Sequence, residues 1–283
     1  MITSVVIPCY KSKSMLIRVI KKIPKFVNKI ILIDDKCPNN TVRETLKKIK
    51  DKRIIAIYNI KNIGVGGSVL KGYKKALELK SDIIIKVDSD GQMDLSKMKK
   101  FYKILNTDER CAYVKANRFF SLKSLIKMPK IRMLGNIILT LLNKFSSGYW
   151  SINDPTNGYT AIKSNYCKKL KFNSIKKNFF FESDLLFHLN CLNAKVIDIN
   201  LEAKYNINNS SNLVIYKVIP YFIKNHIINF IKRLLRNKLL LLLYIFNLLA
   251  LILSYLISYK DIYIVTALFI FITIIYDIST EPR

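Results

Sequence analysis

Residues 87–94 read Val-Asp-Ser-Asp-Gly-Gln-Met-Asp and directly follow Asp-Ile-Ile-Ile-Lys at residues 82–86. The β-branched run predicts a buried strand, so Asp88 and Asp90 should emerge at its carboxyl end. In an open parallel sheet, that edge is where ligands bind. Two carboxylates one residue apart, with the neutral oxygen of Gln92 nearby, suit a hard cation such as Mg²⁺ or Mn²⁺. The alternative is a polar loop whose last residues only cap a helix.

Strands and helices alternate around this stretch. The predicted strands are 3–10, 29–33, 53–58 and 82–87, and the predicted helices between them are 14–23, 41–50 and 66–79. Short links between alternating strands and helices predict an α/β fold, a mostly parallel sheet with helices on both faces. Acidic residues end two of the strands, Asp34 with Asp35 and Asp88 with Asp90. Because four carboxylates at one edge would repel each other, a cation or ligand donors are expected there.

The glycine-rich segment 62–72 fits neither of two phosphate-binding motifs. Val69 stands where the dinucleotide fingerprint G-x-G-x-x-G needs glycine, and no G-K-[ST] completes a P-loop. The segment can still open a helix whose free amide groups face a diphosphate. A simple turn before a helix is the alternative.

The carboxyl-terminal part of the chain is almost continuously apolar. Residues 239–258 contain no charge, and neither do residues 262–276. The first run is long enough to cross about 30 Å of hydrocarbon, whereas the second reaches that length only if Asp277 lies in the interface. The short link between them predicts a two-helix transmembrane hairpin with spans of about 239–258 and 262–278. A buried helical hairpin in a soluble protein is the alternative.

Positive charge is spread through the chain and crowds the entrance to the first span. The formal net charge is +29, from 48 Lys and Arg against 19 Asp and Glu. Lys232, Arg233, Arg236 and Lys238 predict that both termini face the cytoplasm. The excess also predicts attraction to an anionic membrane and to phosphorylated substrates. No zinc-finger spacing or RNP-like motif is present, so nucleic acid is not an expected partner.

Cysteine usage indicates a reducing compartment. The five cysteines include no C-x-x-C pair, which argues against a disulfide framework or a zinc site. Pro8 interrupts the first apolar run, which argues against a secretory signal. The expected location is therefore the cytoplasmic (inner) membrane, as a multi-pass protein.

Several segments resemble those of the family 2 glycosyltransferases of the GT-A fold, and they occur in the same order. The similarity covers most of residues 3–206 and is greatest to the branch with dolichol-phosphate mannose synthases and polyprenyl-phosphate glycosyltransferases. Residues 6–10, Val-Ile-Pro-Cys-Tyr, resemble the nucleotide-binding first strand, and 33–35, Ile-Asp-Asp, resemble the base and ribose contact. Residues 62–72 resemble the N-x-G-x-G segment, and 87–92 resemble the D-x-D-x-Q metal and diphosphate motif.

This resemblance implies a GT-A (Rossmann-like) fold and assigns roles to individual residues. The implied metal ligands for Mg²⁺ or Mn²⁺ are Asp88, Asp90 and Gln92. The implied donor-binding residues are Pro8, Tyr10, Asp34, Asp35, Asn62, Gly64, Gly66 and Asp88.

The acceptor segments also resemble those of the family. Residues 115–119 and 130–136 look like the segments whose arginines hold the acceptor's phosphate, which implies contacts from Arg118, Arg132 and Asn136. Arginine suits this role because its planar fork donates two hydrogen bonds and stays charged. Without the resemblance, these would be two surface cations among 48.

Two further segments resemble the catalytic parts of the family. Residues 154–159, Asp-Pro-Thr-Asn-Gly-Tyr, resemble the turn near the reacting sugar, and 179–185 resemble the segment with the late carboxylate. The implied catalytic residues are Asp154, Glu182 and Asp184. The alternative for the last two is that their charges complement a helix dipole.

Three departures from the family pattern limit the resemblance. Lys11-Ser12 follows Tyr10 where many members carry N-E, and no glutamate lies near Ser210-Ser211 where close relatives would have one. The absence of Q-x-x-R-W disfavours a processive polysaccharide synthase.

The sequence thus predicts three parts: a GT-A catalytic domain at 1–212, a basic amphipathic interfacial segment at 213–238 and the hairpin at 239–283. The predicted activity is inverting, non-processive transfer of one sugar from a UDP- or GDP-linked donor to a polyprenyl (undecaprenyl or dolichyl) phosphate. One alternative is a membrane-anchored glycosyltransferase that acts on a saccharide hydroxyl. Another is a non-catalytic, basic, membrane-anchored binding protein. The sugar, the nucleotide and homo-oligomer formation stay open.

Overall fold

The strands of the computed structural model form one mixed sheet. The model describes residues 1–12, 15–119, 130–201, 215–257 and 260–283. Within these ranges the strands are β1 Thr3–Cys9, β2 Lys29–Asp34, β3 Ile54–Tyr58, β4 Ile83–Lys86, β5 Cys111–Asn117, β6 Thr160–Lys163 and β7 Lys195–Asn200. Their order across the sheet is β3-β2-β1-β4-β6-β5-β7. Only β6 runs antiparallel to its neighbours in this described sheet, so the predicted mostly parallel arrangement is confirmed.

Helices cover both faces of the sheet. They are α1 Met15–Lys22, α2 Thr41–Lys48, α3 Gly64–Glu78, α4 Met98–Thr107, α5 Lys130–Ser147, α6 Ser164–Lys169, α7 Phe181–Asn190, α8 Ile215–Arg236, α9 Lys238–Ile257 and α10 Lys260–Ser279. One apolar core joins α1, α2 and α4 to one face of the sheet. A second core joins α3, α6 and α7 to the opposite face. Each strand contributes alternate side chains to the two cores, which is the consequence of the two-residue repeat of a strand.

The sequence-based boundaries in the first part of the chain agree closely with the structure. The helix predicted at 41–50 is Thr41–Lys48, and the helix predicted at 66–79 is Gly64–Glu78. The strand predicted at 82–87 is Ile83–Lys86. Strands β5, β6 and β7, which complete the sheet, had no specific prediction.

Strand direction places one set of strand ends along a single edge. Because β6 is antiparallel to both β4 and β5, these two strands run the same way, together with β1, β2 and β7. Asp34 ends β2, Asp88 lies just beyond β4, and Arg118 follows β5 directly. The side chains expected to act together therefore start from the same edge.

The carboxyl-terminal helices differ in their surroundings. Helix α8 packs against α5 and α7, and its Phe222 and His226 are buried. Residues 238–256 of α9 are long and apolar enough to cross a membrane by length and composition, and residues 263–279 of α10 form a shorter apolar helix. The two helices pack against each other, and Asn247 Nδ2 donates a hydrogen bond to Thr273 Oγ1 at 2.6 Å.

Candidate active site

A row of polar and charged side chains crosses the sheet close to the shared edge. Lys86 of β4 is in register with Thr160 of β6, Thr160 with Lys115 of β5, and Lys115 with Asp198 of β7. Lys86 is 1% exposed and Lys115 is 0% exposed. Residues in register share a face of the sheet, and this is the face that packs against α7. A charged row thus borders an otherwise apolar core.

Lys86 connects two carboxylates that are far apart in the chain. Its Nζ lies 2.6 Å from Asp88 Oδ1 and 3.0 Å from Glu182 Oε1. Burial alone would lower the pKa of Lys86, but the two carboxylates outweigh burial and raise it, so the ammonium group stays charged. A Cβ atom at Gly158 would lie 2.1 Å from Lys86 Nζ, so the loop passes this close only because residue 158 is glycine.

Asp88 and Asp90 lie half-buried at the end of β4. Burial and the neighbouring charge of Asp88 raise the pKa of Asp90, and the Gln92 N–H donates to Asp90 Oδ1 at 3.0 Å. Among the described residues, no three His, Cys, Asp or Glu side chains converge into a complete metal cage. Two carboxylates that repel each other fit an ion that takes its other ligands from phosphates and water, as Mg²⁺ does in many enzymes.

Asp35 organises the glycine-rich segment that was predicted to bind the donor. Its carboxylate accepts hydrogen bonds from Asn59 Nδ2 at 2.9 Å, the Ile63 N–H at 2.8 Å and the Gly64 N–H at 2.9 Å. The Asn62 side chain accepts from the Gly64 N–H at 3.1 Å, and Gly64 has a φ of +83°. The amino end of α3 is thereby fixed next to the end of β2. Tyr10 is 44% exposed just beyond β1, whereas Pro8 is buried near the end of the same strand.

A cavity of about 270 Å³ opens between the ends of β2 and β3. The Arg43 guanidinium lies 5.3 Å from the centre of the Tyr58 ring at this cavity, and Asp34 Oδ1 accepts from the Cys37 N–H at 2.8 Å. The cavity is lined by Asp34, Lys36, Cys37, Pro38, Asn40, Arg43, Tyr58 and Asn59. Its position next to Asp35 and the glycine-rich segment suits part of a nucleotide.

Asp154 and Arg118, which were predicted to have separate roles, form a bidentate pair. Arg118 Nε and Nη2 donate to the Asp154 carboxylate at 2.7 and 2.9 Å, and the Arg118 N–H donates at 3.0 Å. Asp154 is 0% exposed and also accepts from Asn157 Nδ2 at 3.1 Å. The carboxylate therefore holds the plane of the guanidinium in one orientation.

The remaining predicted residues are divided between the site and its surroundings. Glu182 reaches the site through Lys86, whereas Asp184 accepts from the Lys176 N–H at 2.7 Å and from Asn229 Nδ2 of α8 at 2.8 Å.

Asn136, which was predicted to contact the acceptor, lies on α5. Arg132 is in the first turn of the same helix, and its side chain lies outside the described residues, as do Ser210 and Ser211. Gly66 packs closely against the Lys176 carbonyl. A Cβ at this position would lie only 2.7 Å from that oxygen, so a larger residue would not fit without a shift.

Comparison with known families identifies the family of this chain. The model of the family described as "Glycosyl transferase family 2" matches residues 4–171, which is more than half of the 283 residues. The chain belongs to glycosyl transferase family 2. It is therefore a glycosyltransferase, and the predicted family is confirmed.

Two relatives of this glycosyltransferase have names that specify polyprenyl-phosphate acceptors. The UDP-N-acetylglucosamine–dolichyl-phosphate N-acetylglucosaminyltransferase of Methanococcus voltae is 28% identical over 180 residues, which cover 58% of this chain and 70% of the relative. The undecaprenyl-phosphate mannosyltransferase of Micrococcus luteus is 19% identical over 172 residues, which cover 60% of this chain and 69% of the relative.

Solved structures show that this glycosyltransferase has a GT-A-like fold. Glucosyl-3-phosphoglycerate synthase from Mycobacterium tuberculosis, in complex with Mn²⁺, UDP and phosphoglyceric acid, aligns with a TM-score of 0.61 at 16% identity. The alignment covers 82% of this chain and 78% of that chain. The same enzyme with Mg²⁺ and UDP also aligns with a TM-score of 0.61.

Sequence reasoning about this glycosyltransferase did not assign roles to Lys86, Lys115 or Asp198. Burial lowers the pKa of Lys115 to about 8, although carboxylates including Asp154 oppose the shift. Burial raises the pKa of Asp198 to about 6. The signal that could have found these residues is a charged side chain inside an otherwise apolar strand, because such a residue is buried only when it is paired.

Proposed function

We propose that this glycosyltransferase moves one sugar from a nucleotide-diphosphate sugar to a polyprenyl phosphate, with inversion and without processive addition. The observation that carries the proposal is the position of Asp88 and Arg118. They follow the parallel strands β4 and β5, so a carboxylate for the donor's cation and a guanidinium for an acceptor phosphate start from one edge. The names of the two relatives supply the class of acceptor.

On the donor side, the chain supplies a preorganised set of charges. A divalent cation held by Asp88, Asp90 and Gln92 would neutralise the charge that develops on the departing diphosphate. Lys86 holds one oxygen of Asp88 in place. Asp35 accepts from the Ile63 and Gly64 N–H groups and so fixes the amino end of α3, where the helix dipole favours its negative charge. These two amide groups are therefore not free to bind the diphosphate of the donor.

On the acceptor side, Asp154 holds the Arg118 guanidinium in one orientation at the edge that Asp88 also follows. We assign the other phosphate contacts to Arg132 and Asn136 on α5. An oxygen of the lipid phosphate attacks the anomeric carbon, and the bond to the nucleoside diphosphate breaks, with both electrons leaving on the diphosphate oxygen. Attack in line with that bond inverts the anomeric configuration. A lipid phosphate needs little proton removal near neutral pH, since a second phosphate pKa is about 6. We therefore assign Glu182 to positioning Lys86 rather than to general base catalysis.

The acceptor's tail needs an apolar surface beside the site. Helices α5 and α8 pack together and expose apolar side chains, among them Ile137 at 54% and Ile227 at 50%. Helix α8 ends at Arg236 and α9 begins at Lys238, so this surface leads directly into the candidate span. We infer that α8 lies in the membrane interface, with α9 and α10 as the anchor and the catalytic domain on the cytoplasmic side.

Transfer of labelled sugars to lipid tests the proposal. Full-length protein in detergent would be incubated with labelled UDP-N-acetylglucosamine, UDP-glucose or GDP-mannose, with undecaprenyl or dolichyl phosphate, and with Mg²⁺ or Mn²⁺. We expect one of the labels to enter the lipid phase as a single sugar and EDTA to abolish the transfer.

A matched pair of arginine variants tests the acceptor contact. Arg118→Ala should lower transfer at least about 100-fold, because it removes the guanidinium that is proposed to hold the acceptor phosphate. Arg110→Ala removes an exposed arginine just before the same strand and should leave the rate unchanged. Label that enters a saccharide acceptor and never the lipid would contradict the proposal.

A further inference from the structure

The polypeptide that leads into Asp154 depends on side chains from elsewhere in the chain for its position. We call residues 148–153 the site loop. The Asn153 N–H donates to Asp198 Oδ2 at 2.8 Å, and the Asn153 carbonyl accepts from Thr140 Oγ1 at 2.9 Å. Lys144 Nζ donates to Asn153 Oδ1 at 3.0 Å. Helix α5 and strand β7 thus hold the end of the loop next to Asp154.

The other end of the site loop is held by the carboxyl-terminal helices. Gly148 begins the loop with a φ of +76°, and a Cβ there would lie 2.4 Å from Arg233 Nε of α8. Arg233 donates to the Phe145 carbonyl at 2.8 Å and forms a buried ion pair with Asp277 of α10. The backbone entry to the loop is therefore packed against a charge pair that α10 completes.

Glu281, just beyond α10, contacts the middle of the loop. Both of its carboxylate oxygens lie 3.2 Å from the Ser151 nitrogen, and the Ser151 hydroxyl donates to Oε1. The contact spans 130 positions of the sequence. Hydrogen bonds to a charged acceptor are stronger than neutral ones, so this carboxylate can hold an irregular loop in one position.

We propose that Glu281 is a positioning residue for the acceptor site. Through Ser151 it fixes the site loop, the loop places Asp154, and Asp154 orients Arg118. The end of the hairpin is then part of the machinery that aligns the acceptor phosphate, and correct seating of the hairpin is coupled to acceptor binding. That Glu281 fixes the site loop follows from the contacts alone, whereas the effect on acceptor binding rests on the function proposed above.

Hydrogen exchange tests, without any substrate, whether Glu281 fixes the site loop. Full-length wild type, Glu281→Ala and the control Glu78→Ala would be compared in detergent micelles by mass spectrometry. Glu78 is an exposed glutamate paired with Lys75 at 3.1 Å, so its removal is a matched loss of charge away from the site. We expect faster exchange over residues 148–153 in Glu281→Ala alone, with α9 unchanged. Equal exchange in all three proteins would overturn the proposal, whichever acceptor the enzyme uses.

Steady-state kinetics test the effect on the acceptor. Glu281→Ala should raise KM for the polyprenyl phosphate about fivefold, because it removes the carboxylate that accepts from the N–H and the hydroxyl of Ser151. The KM for the nucleotide sugar should not change. Glu281→Gln keeps one acceptor oxygen for Ser151 but loses the charge, so it should recover part of the loss. Equal shifts in both KM values would show general destabilisation and would overturn the positioning role.

A double mutant separates this contact from independent effects. Ser151→Ala combined with Glu281→Ala should cost no more than Glu281→Ala alone, because Glu281→Ala already removes the hydroxyl contact that Ser151→Ala removes. Additive losses would contradict the proposal. If exchange changes as expected while wild type transfers no sugar to lipid phosphate, the loop contact stands and the proposed acceptor is wrong.

Discussion

Lys86 is the residue on which the geometry of the candidate site depends most. Its buried ammonium group lies between Asp88, which follows β4, and Glu182, at the start of α7. A buried charge with two partners is stable only as a set, because loss of one member leaves the others uncompensated. The three side chains therefore behave as one unit that fixes an oxygen of Asp88.

The two acidic residues of α7 should give different phenotypes. Glu182→Gln weakens the contact with Lys86 and should lower kcat at least about tenfold with a small loss of stability. Asp184→Asn weakens the contacts to the Lys176 N–H and Asn229, so it should mainly lower Tm. Kinetics and thermal melts of both variants in detergent check this. A larger loss of kcat from Asp184→Asn than from Glu182→Gln would support direct catalysis by Asp184.

Asp198 gives the protein a predictable pH dependence of stability. Its pKa is about 6 in the folded protein, above the unfolded value of about 3.9. Between about pH 4 and 6 the folded state binds more protons than the unfolded state, so stability falls as pH rises through this range. Asp198→Asn removes this titration and keeps an oxygen for the Asn153 N–H.

The Tm of wild type minus that of Asp198→Asn should therefore decrease between about pH 4 and 6 and level off above it. Thermal melts at constant ionic strength measure this difference. A Tm difference that is constant across the range would show that Asp198 has an ordinary pKa.

Helix α8 is the element that joins the sheet domain to the hairpin. Its Asn229 binds Asp184 of α7 at 2.8 Å, its His226 Nδ1 shares a hydrogen bond with Ser146 Oγ of α5 at 2.8 Å, and its Arg233 pairs with Asp277 of α10. The sequence predicted an amphipathic interfacial segment here, and the helix does expose an apolar stripe. Its buried face combines apolar residues such as Phe222 with polar side chains, which satisfy buried groups on three other helices.

The Arg233 and Asp277 pair should follow the behaviour of buried ion pairs. Asp277→Leu alone leaves Arg233 buried without its partner and should lower stability by about 3 kcal/mol. Arg233→Met combined with Asp277→Leu should recover a large part of that loss, because an apolar pair replaces a charged one. Thermal melts in one detergent, with Lys232→Met as the control for loss of an exposed charge, compare the variants. Equal Tm values for Asp277→Leu and wild type would contradict the buried pairing.

At the scale of the whole molecule, we expect α8 to be part of the catalytic domain. The predicted boundary between residues 212 and 213 lies outside the described residues, but α8 beyond it covers Phe180 and Asp184 of the α7 region. Removal of α8 would expose Phe180 and leave the Asp184 carboxylate without its contact to Asn229. We therefore expect the catalytic domain to need part of the segment that was predicted to be interfacial.

Two truncations should show whether the catalytic domain folds without α8. Residues 1–237 should fold and bind UDP in the presence of Mn²⁺, because the donor residues and α8 are all present. Residues 1–201 should aggregate or melt at a much lower temperature, since an apolar surface under α8 becomes exposed. Size-exclusion chromatography and titration calorimetry with the same tag on both chains measure the outcome. A stable chain of residues 1–201 that binds UDP would contradict the assignment of α8 to the catalytic domain.

Local patterns in the amino-acid order were enough to predict the family, the mostly parallel sheet and the first helices and strands. Periodicity and turn residues act over a few positions, and the motifs around Asp35, Asp88 and Asp154 lie in contiguous segments. Those motifs also placed the candidate site at the ends of the strands. The predictions for individual site residues remain predictions that the experiments above address.

The pairing of these motifs depends on how distant segments pack. Lys86 and Glu182 are 96 positions apart, and Ser151 and Glu281 are 130 positions apart, so no local pattern shows that they touch. Burial made Lys86 and Lys115 part of the site, and strand register put them in one row. Packing of α8 against α7 engaged Asp184 and left Glu182 to face the sheet. Such choices depend on long-range register and on the pairing of buried charges, which exist only once the chain has folded.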